Sequence, residues 1–150
     1  MSSLEDEATK QGNLLRDKGD LEGAIAAYTK AIRLNPRNAR SYSGRGRAYM
    51  RKDELDKSAA DCNKAIQLDP TMANAFCTRG SCHDKSGDLD KAMADYIEAI
   101  RLDPQSSEAY WGRARVHGEK SEFDKAIADW TESIRLNPLC AEAHWGRAYT

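Results

Sequence analysis

Apolar residues recur along this chain at helical spacing. Leu89, Ala92, Met93, Tyr96, Ala99 and Ile100 share one face of a helix, and Phe123, Ala126, Ile127, Trp130 and Ile134 repeat the arrangement further on. Each stripe runs into a short phrase, Ala-Ile-x-Leu followed by Asn or Asp and then Pro. The phrase is written at 31–36, 65–70 and 99–104, and again at 133–138 with Ser133 replacing the alanine. Pro36, Pro70, Pro104 and Pro138 are the only prolines, each 34 residues after the one before. Proline stops a helix at a fixed point, so four prolines in register mark four copies of one structural unit.

With proline at the thirty-second place, the copies run 5–38, 39–72, 73–106 and 107–140, and a fifth begins at 141 and breaks off at 150. Each copy reads as two helices. Helix A covers about fourteen residues and is about 20 Å long. A turn follows at Gly19-Asp20, Asp53-Glu54, Gly87-Asp88 and Ser121-Glu122. Glycine there suits the left-handed conformation that ends a helix. Helix B carries the stripe and ends at the proline phrase. Asn38, Thr71 and Ser106 or Ser107 stand just beyond it, placed to cap the next helix A. Connections this short force antiparallel neighbours. Small residues at the eighth place (Gly12, Gly46, Gly80, Ala114) and the twentieth (Ala24, Ser58, Ala92, Ala126) let the two helices approach closely. Larger groups at the fourth place (Tyr42, Phe76, Tyr110) and the twenty-fourth (Tyr28, Cys62, Tyr96, Trp130) fill the space beside them.

Charge changes the picture by exclusion. The net charge is −1, which gives no general attraction for nucleic acid or an anionic membrane. The acidic N-terminus lacks the basic start and apolar run of a signal peptide, and no stretch is apolar enough to span a membrane. A soluble, cytoplasmic chain is expected. Cys62, Cys77, Cys82 and Cys140 form no CxxC pair and occupy unequal places, which favours free, mostly buried thiols.

These features together resemble the tetratricopeptide repeat (TPR) family, whose signature over 34 residues is W-x2-L-G-x2-Y, then A-x3-F, then P. Tyr42, Gly46, Tyr49, Ser58, Cys62 and Pro70 hold those places in the second copy, and Phe76, Gly80, His83, Ala92, Tyr96 and Pro104 in the third. The resemblance covers nearly the whole chain. It implies an all-α fold: a single domain over 1–150, built as a right-handed superhelical solenoid of helix pairs. It also implies that the A helices line a concave face and the B helices a convex one, and that the protein is a non-catalytic scaffold binding another polypeptide.

One departure from the family recurs. The seventh place, usually apolar, holds Arg45, Arg79, Arg113 and Arg147, and the twenty-third holds Asp61, Asp95 and Asp129. The first copy lacks both, with Gln11 and Ala27. Such covariation predicts the pairs Arg45–Asp61, Arg79–Asp95 and Arg113–Asp129, since an arginine fork can bond both carboxylate oxygens. The alternative is an arginine ladder that reads acidic groups on a ligand.

The groove places of helix A supply the candidate binding residues: Asn13, Arg47, Arg51, Asn74, Trp111, Arg115 and Trp145. Arg47, Arg51 and Arg115 predict a locally basic floor. Trp111 and Trp145 are each followed by glycine, a combination that would leave a notch for an incoming side chain. Aromatic and arginine residues are frequent interface anchors, so a peptide with acidic and apolar residues is the expected partner. Alternatively, the two tryptophans pack on each other.

A subclass of the family grips C-terminal carboxylates with Lys and Asn in the first helix A, Asn in the second, and Lys and Arg in the third. Thr9, Asn13, Gly44, Asn74 and Thr78 stand at those places, and only Asn13 matches. Weak or absent binding of such tails is expected. His83 and His117 replace the signature tyrosine and are expected in the interhelical core. Cys77, Cys82 and His83 diverge on a helix and make a poor metal set. No phosphate loop, HExxH or nucleophile motif is present, and no metal or cofactor is predicted.

The first copy uses Ala8 and Leu15 where later ones carry larger rings, which predicts a polar N-terminal cap. The last ten residues read as part of a helix A. That suggests a piece of a longer array or an end covered by self-association.

Overall fold

A computed structural model of the chain describes residues 3–139 together with Gly146 and Arg147. Among the described residues there are eight α-helices and no strand: α1 (Leu4–Asp17), α2 (Leu21–Leu34), α3 (Ala39–Arg51), α4 (Leu55–Leu68), α5 (Ala73–Lys85), α6 (Leu89–Leu102), α7 (Ser107–Glu119) and α8 (Phe123–Leu136). The odd-numbered helices are the A helices and the even-numbered ones the B helices.

Local chemistry explains each boundary. The A helices end at residues with positive φ: Gly19 (86°), Asp53 (62°), Gly87 (80°) and Ser121 (60°). Two of the four are not glycine and carry the steric cost of the left-handed region. The B helices end at Asn35, Asp69, Asp103 and Asn137, each extended, as the residue before a proline must be. The choice of Asn or Asp there has its own cause. Each side chain accepts the backbone N–H two residues on: Arg37 to Asn35 and Thr71 to Asp69 at 3.0 Å, Gln105 to Asp103 at 3.0 Å, Leu139 to Asn137 at 3.3 Å. The side chain thus builds the turn that proline begins.

Asn38 and Ser106 cap α3 and α7 as expected. Thr71 does not cap α5. Its hydroxyl and N–H both bind Asp69, and Met72 holds the cap position without a side-chain bond.

Within each pair the small residues lie at the closest approach. Ala24, Ser58, Ala92 and Ala126 are fully buried, as are Ala31, Ala65, Ala99 and Ser133 a further two turns along. The two serines satisfy their hydroxyls by donating to the Gly46 and Ser107 carbonyls.

Between pairs, packing depends on one size match. The Tyr28 ring lies under Gly44 of the next helix A, Tyr96 under Gly112 and Trp130 under Gly146. A Cβ on Gly44 would fall 2.5 Å from the Tyr28 ring, so only glycine fits. Where the twenty-fourth place shrinks to Cys62, the facing residue grows to Thr78, and both are buried.

Two apolar expectations change. The first pair is not a polar cap throughout, since Leu4 is 69% and Leu14 48% exposed. Leu14 occupies the place of Cys82, which in its own pair contacts Ser58 of the preceding one. Phe123 and Ile127 of the α8 stripe are also exposed, whereas Leu89 and Met93 at the same places in α6 pack on the core.

Consecutive A helices touch one another (α1 with α3, α3 with α5, α5 with α7), while successive B helices share no comparable contact among the described residues. The A helices are therefore the closer-set layer, and in a curved stack that layer is the inner one. No helix among the described residues is long and apolar enough to cross a membrane.

Candidate functional site

Three of the seventh-place arginines, Arg45, Arg79 and Arg113, turn to helix B instead of the groove. Arg45 Nε and Nη2 donate to Asp61 Oδ2 and Oδ1 at 2.7 and 2.8 Å. Arg79 binds Asp95 at 2.8 and 2.6 Å, and Arg113 binds Asp129 at 2.7 and 2.8 Å, in the same fork. Each arginine also lies over the ring one turn earlier: Tyr42, Phe76 or Tyr110. The remaining guanidinium nitrogen reaches back to the preceding helix B, from Arg45 to Thr29 and from Arg79 to Asn63. These are structural pairs, tying A to B and, at Arg45 and Arg79, the repeat to the one before. A half-made pair would strand a charge, which explains why both residues come together.

His83 and His117 lie beside these pairs. They are half-buried, each with Nε2 3.8 Å from the aspartate of its repeat. His117 Nδ1 also meets Glu122 at 2.5 Å, a bond that holds the Glu122 carboxyl below its usual range.

The groove itself is less basic than its arginines suggest. Arg47 reaches from α3 to Glu108 of α7 at 2.6 Å, spanning two repeats across the concave face. Cys77, 3% exposed, is within electrostatic reach of both charges, and burial pushes its thiol well above the ordinary range. Arg115 of α7 donates from Nε to Asp84 Oδ2 of α5 at 2.8 Å. Arg51 is exposed and donates to the Arg16 carbonyl at 2.8 Å. The expected basic floor is thus neutralised at Arg47 and Arg115. The partners were not evident from the chain because they lie 61 and 31 residues away, brought together only by superhelical stacking. Arg115 faces an acid at the twelfth place of the preceding repeat, Asp84. Arg47 faces Arg16 at that place, and it turns to Glu108 instead.

The notch beside Trp111 is also filled. Gly112 is occupied from below by the Tyr96 ring, so the glycine serves core packing and not an incoming group. Trp111 itself is half-buried and lines a cavity of about 470 Å³ with Met50, Ser81, Asp84, Tyr96 and Arg115. Asn13 lies elsewhere. It accepts from the Tyr28 hydroxyl at 2.7 Å and lines a polar cavity at the N-terminal edge with Thr9, Lys10 and Arg40. Asn74 is exposed on α5 and lines neither cavity. Trp145 lies outside the described residues, so its packing on Trp111 is not described. Asp84 and Glu108 stand at groove places in the sequence but are not among the candidate binding residues chosen from it. Their acidic character at groove places was the available signal.

Sequence profiles of the tetratricopeptide repeat match residues 39–72 and 73–106, and two further TPR profiles match 12–53 and 112–150. The chain belongs to the tetratricopeptide repeat family. A 43-residue stretch is 51% identical to the TPR repeat-containing protein MJ1428 of Methanocaldococcus jannaschii, covering 29% of this chain and 8% of that protein. Among solved structures, this TPR chain resembles MamA, at 29% identity and TM-score 0.74 over 91% of this chain and 80% of that one. It also resembles the first TPR of Spaghetti (RPAP3) bound to the HSP90 peptide SRMEEVD, at 26% identity and TM-score 0.75 over 81% and 96%. The thermophilic TPR protein TTC0263 of Thermus thermophilus shares the fold, with TM-score 0.84 at 17% identity over 96% and 79%.

Proposed function

We propose that the chain is a non-catalytic scaffold whose concave face holds a segment of another polypeptide. The observation that carries this reading is the cavity between α3, α5 and α7, where Trp111 and Arg115 stand together on the inner layer. A structural relative in the same family holds a peptide, which supports the class of partner. Apolar side chains suit Trp111 and Met50. Acidic ones must compete with Glu108 for Arg47. Of the carboxylate clamp only Asn13 has a counterpart here: Thr9, Gly44 and Thr78 carry no charge and are buried at three of the other places. Asn13, Arg51, Asn74 and Trp145 are proposed as further contacts for the same polypeptide.

Capture of partners from source lysate, comparing wild type with an Arg47/Trp111 double alanine variant, tests the proposal. Loss of captured partner with unchanged sedimentation supports the groove. A second reading, self-association through the C-terminal end, draws on the exposed Phe123 and Ile127. It predicts concentration-dependent sedimentation that Phe123→Ser abolishes.

A further inference from the structure

Four arginine–aspartate pairs join different helices, and they are not alike. In three of them both carboxylate oxygens are bound, one by Nε and one by Nη2. In the fourth, Arg115 directs Nε and Nη2 at a single oxygen, Asp84 Oδ2. Asp84 Oδ1 is buried and has no hydrogen-bond partner among the described residues. The Asp84 side chain is only 3% exposed, yet it lines the Trp111 cavity. A buried carboxylate oxygen without a donor is costly, and a native structure rarely keeps one without use. Arg115 makes no other hydrogen bond or ion pair among the described residues, and its side chain is 37% exposed. One wall of the cavity therefore carries an acceptor and a donor side by side, with charges that cancel. Trp111, Met50 and Tyr96 supply apolar and aromatic surface around them, and Lys85 and Glu108, which also line the cavity, add one charge of each sign.

The geometry points to a carboxamide-reading subsite: Asp84 Oδ1 takes the N–H of a glutamine or asparagine side chain on the bound polypeptide, and Arg115 donates to its carbonyl. The inference rests on the groove reading proposed above. A carboxylate fails at this wall because Asp84 repels it, and an ammonium because Arg115 does. A side-chain amide offers both halves of the complement at no net charge. Oδ1 is buried, so a lining side chain must move aside for the amide to reach it; Arg115 is partly exposed and bonded only to Oδ2.

Selection from a random dodecapeptide display library tests it, run on the wild type, Asp84→Asn, Arg115→Gln and Trp111→Ala. Expected are Trp111-dependent binders enriched several-fold in Gln or Asn at one position. The preference should move to Glu or Asp with Asp84→Asn, which frees the guanidinium, and to Lys or Arg with Arg115→Gln, which frees the carboxylate. Trp111-dependent binders without amide enrichment would overturn the subsite while leaving the groove intact. Binders indifferent to Trp111, or none, would overturn both. Should either charge variant fail to fold, the wild type decides alone. Titrated against the Trp111 indole N–H signal, N-acetylglutamine methylamide must act at lower concentration than the glutamate and lysine analogues, and equality or reversal rejects the inference.

Discussion

Ser121 holds φ at 60° to end α7, where Gly19 and Gly87 do the same for α1 and α5 without a Cβ. The strain of a side chain in that region is about 1–2 kcal/mol, and the greater flexibility of unfolded glycine returns part of it. Ser121→Gly is therefore expected to stabilise by about 0.5–1 kcal/mol, raising Tm by about 2 °C in a thermal melt. Cys62 shows a pH effect at the same scale. Burial raises its thiol from the ordinary 9.0 to about 12. The folded chain holds that proton more tightly than the unfolded one, so its contribution is complete below pH 9.0 and is lost as pH rises toward about 12. Within that window the loss is about 1.4 kcal/mol per pH unit. Urea midpoints measured upward from pH 8 should fall accordingly, and Cys62→Ala should fall less steeply.

The helices and their pairing were legible in the chain, because their causes are local or repeat at one period. Proline and the stripes fix the B helices, and the covariation of arginine with aspartate revealed three ion pairs. The seams between pairs were harder to read. Gly112 looked like part of a binding notch because its neighbour Trp111 faces the groove, and only the stack shows Tyr96 beneath it. Thr71 misled in the opposite way, since Asp69 outcompeted the helix end for its hydroxyl. The seam rule is testable. Gly112→Thr should cost at least about 2 kcal/mol by overpacking. Combining it with Tyr96→Cys copies the Cys62–Thr78 seam and should restore more than half, a coupling measured by urea denaturation of the four species.

Across the whole molecule, the Arg47–Glu108 ion pair ties the second repeat to the fourth. Both side chains are over a third exposed, so the pair contributes at most about 1 kcal/mol and is weakened by salt. Cys77 is buried within electrostatic reach of both charges. Alkylation of Cys77, followed by peptide mass spectrometry, should therefore quicken several-fold at about 0.5 M salt. Glu108→Gln should quicken it at low salt as well. A rate unchanged in both would show that the pair does not cover the thiol. The same scale bears on partners. The peptide SRMEEVD, held by the Spaghetti (RPAP3) TPR, should bind this chain at least about a hundredfold more weakly than a clamp-bearing relative, because about 3 kcal/mol of charged contact is missing. Calorimetry on both proteins checks it.

The ring-over-glycine seams also govern how such a gene can be cut and rejoined. Excising the codons for 39–72 would set Tyr28 against Thr78, a collision. Excising those for 73–106 would set Cys62 against Gly112, a void. Equal-length modules are therefore not freely exchangeable, and a duplication is tolerated only where the side chain at its leading edge suits the hollow it inherits.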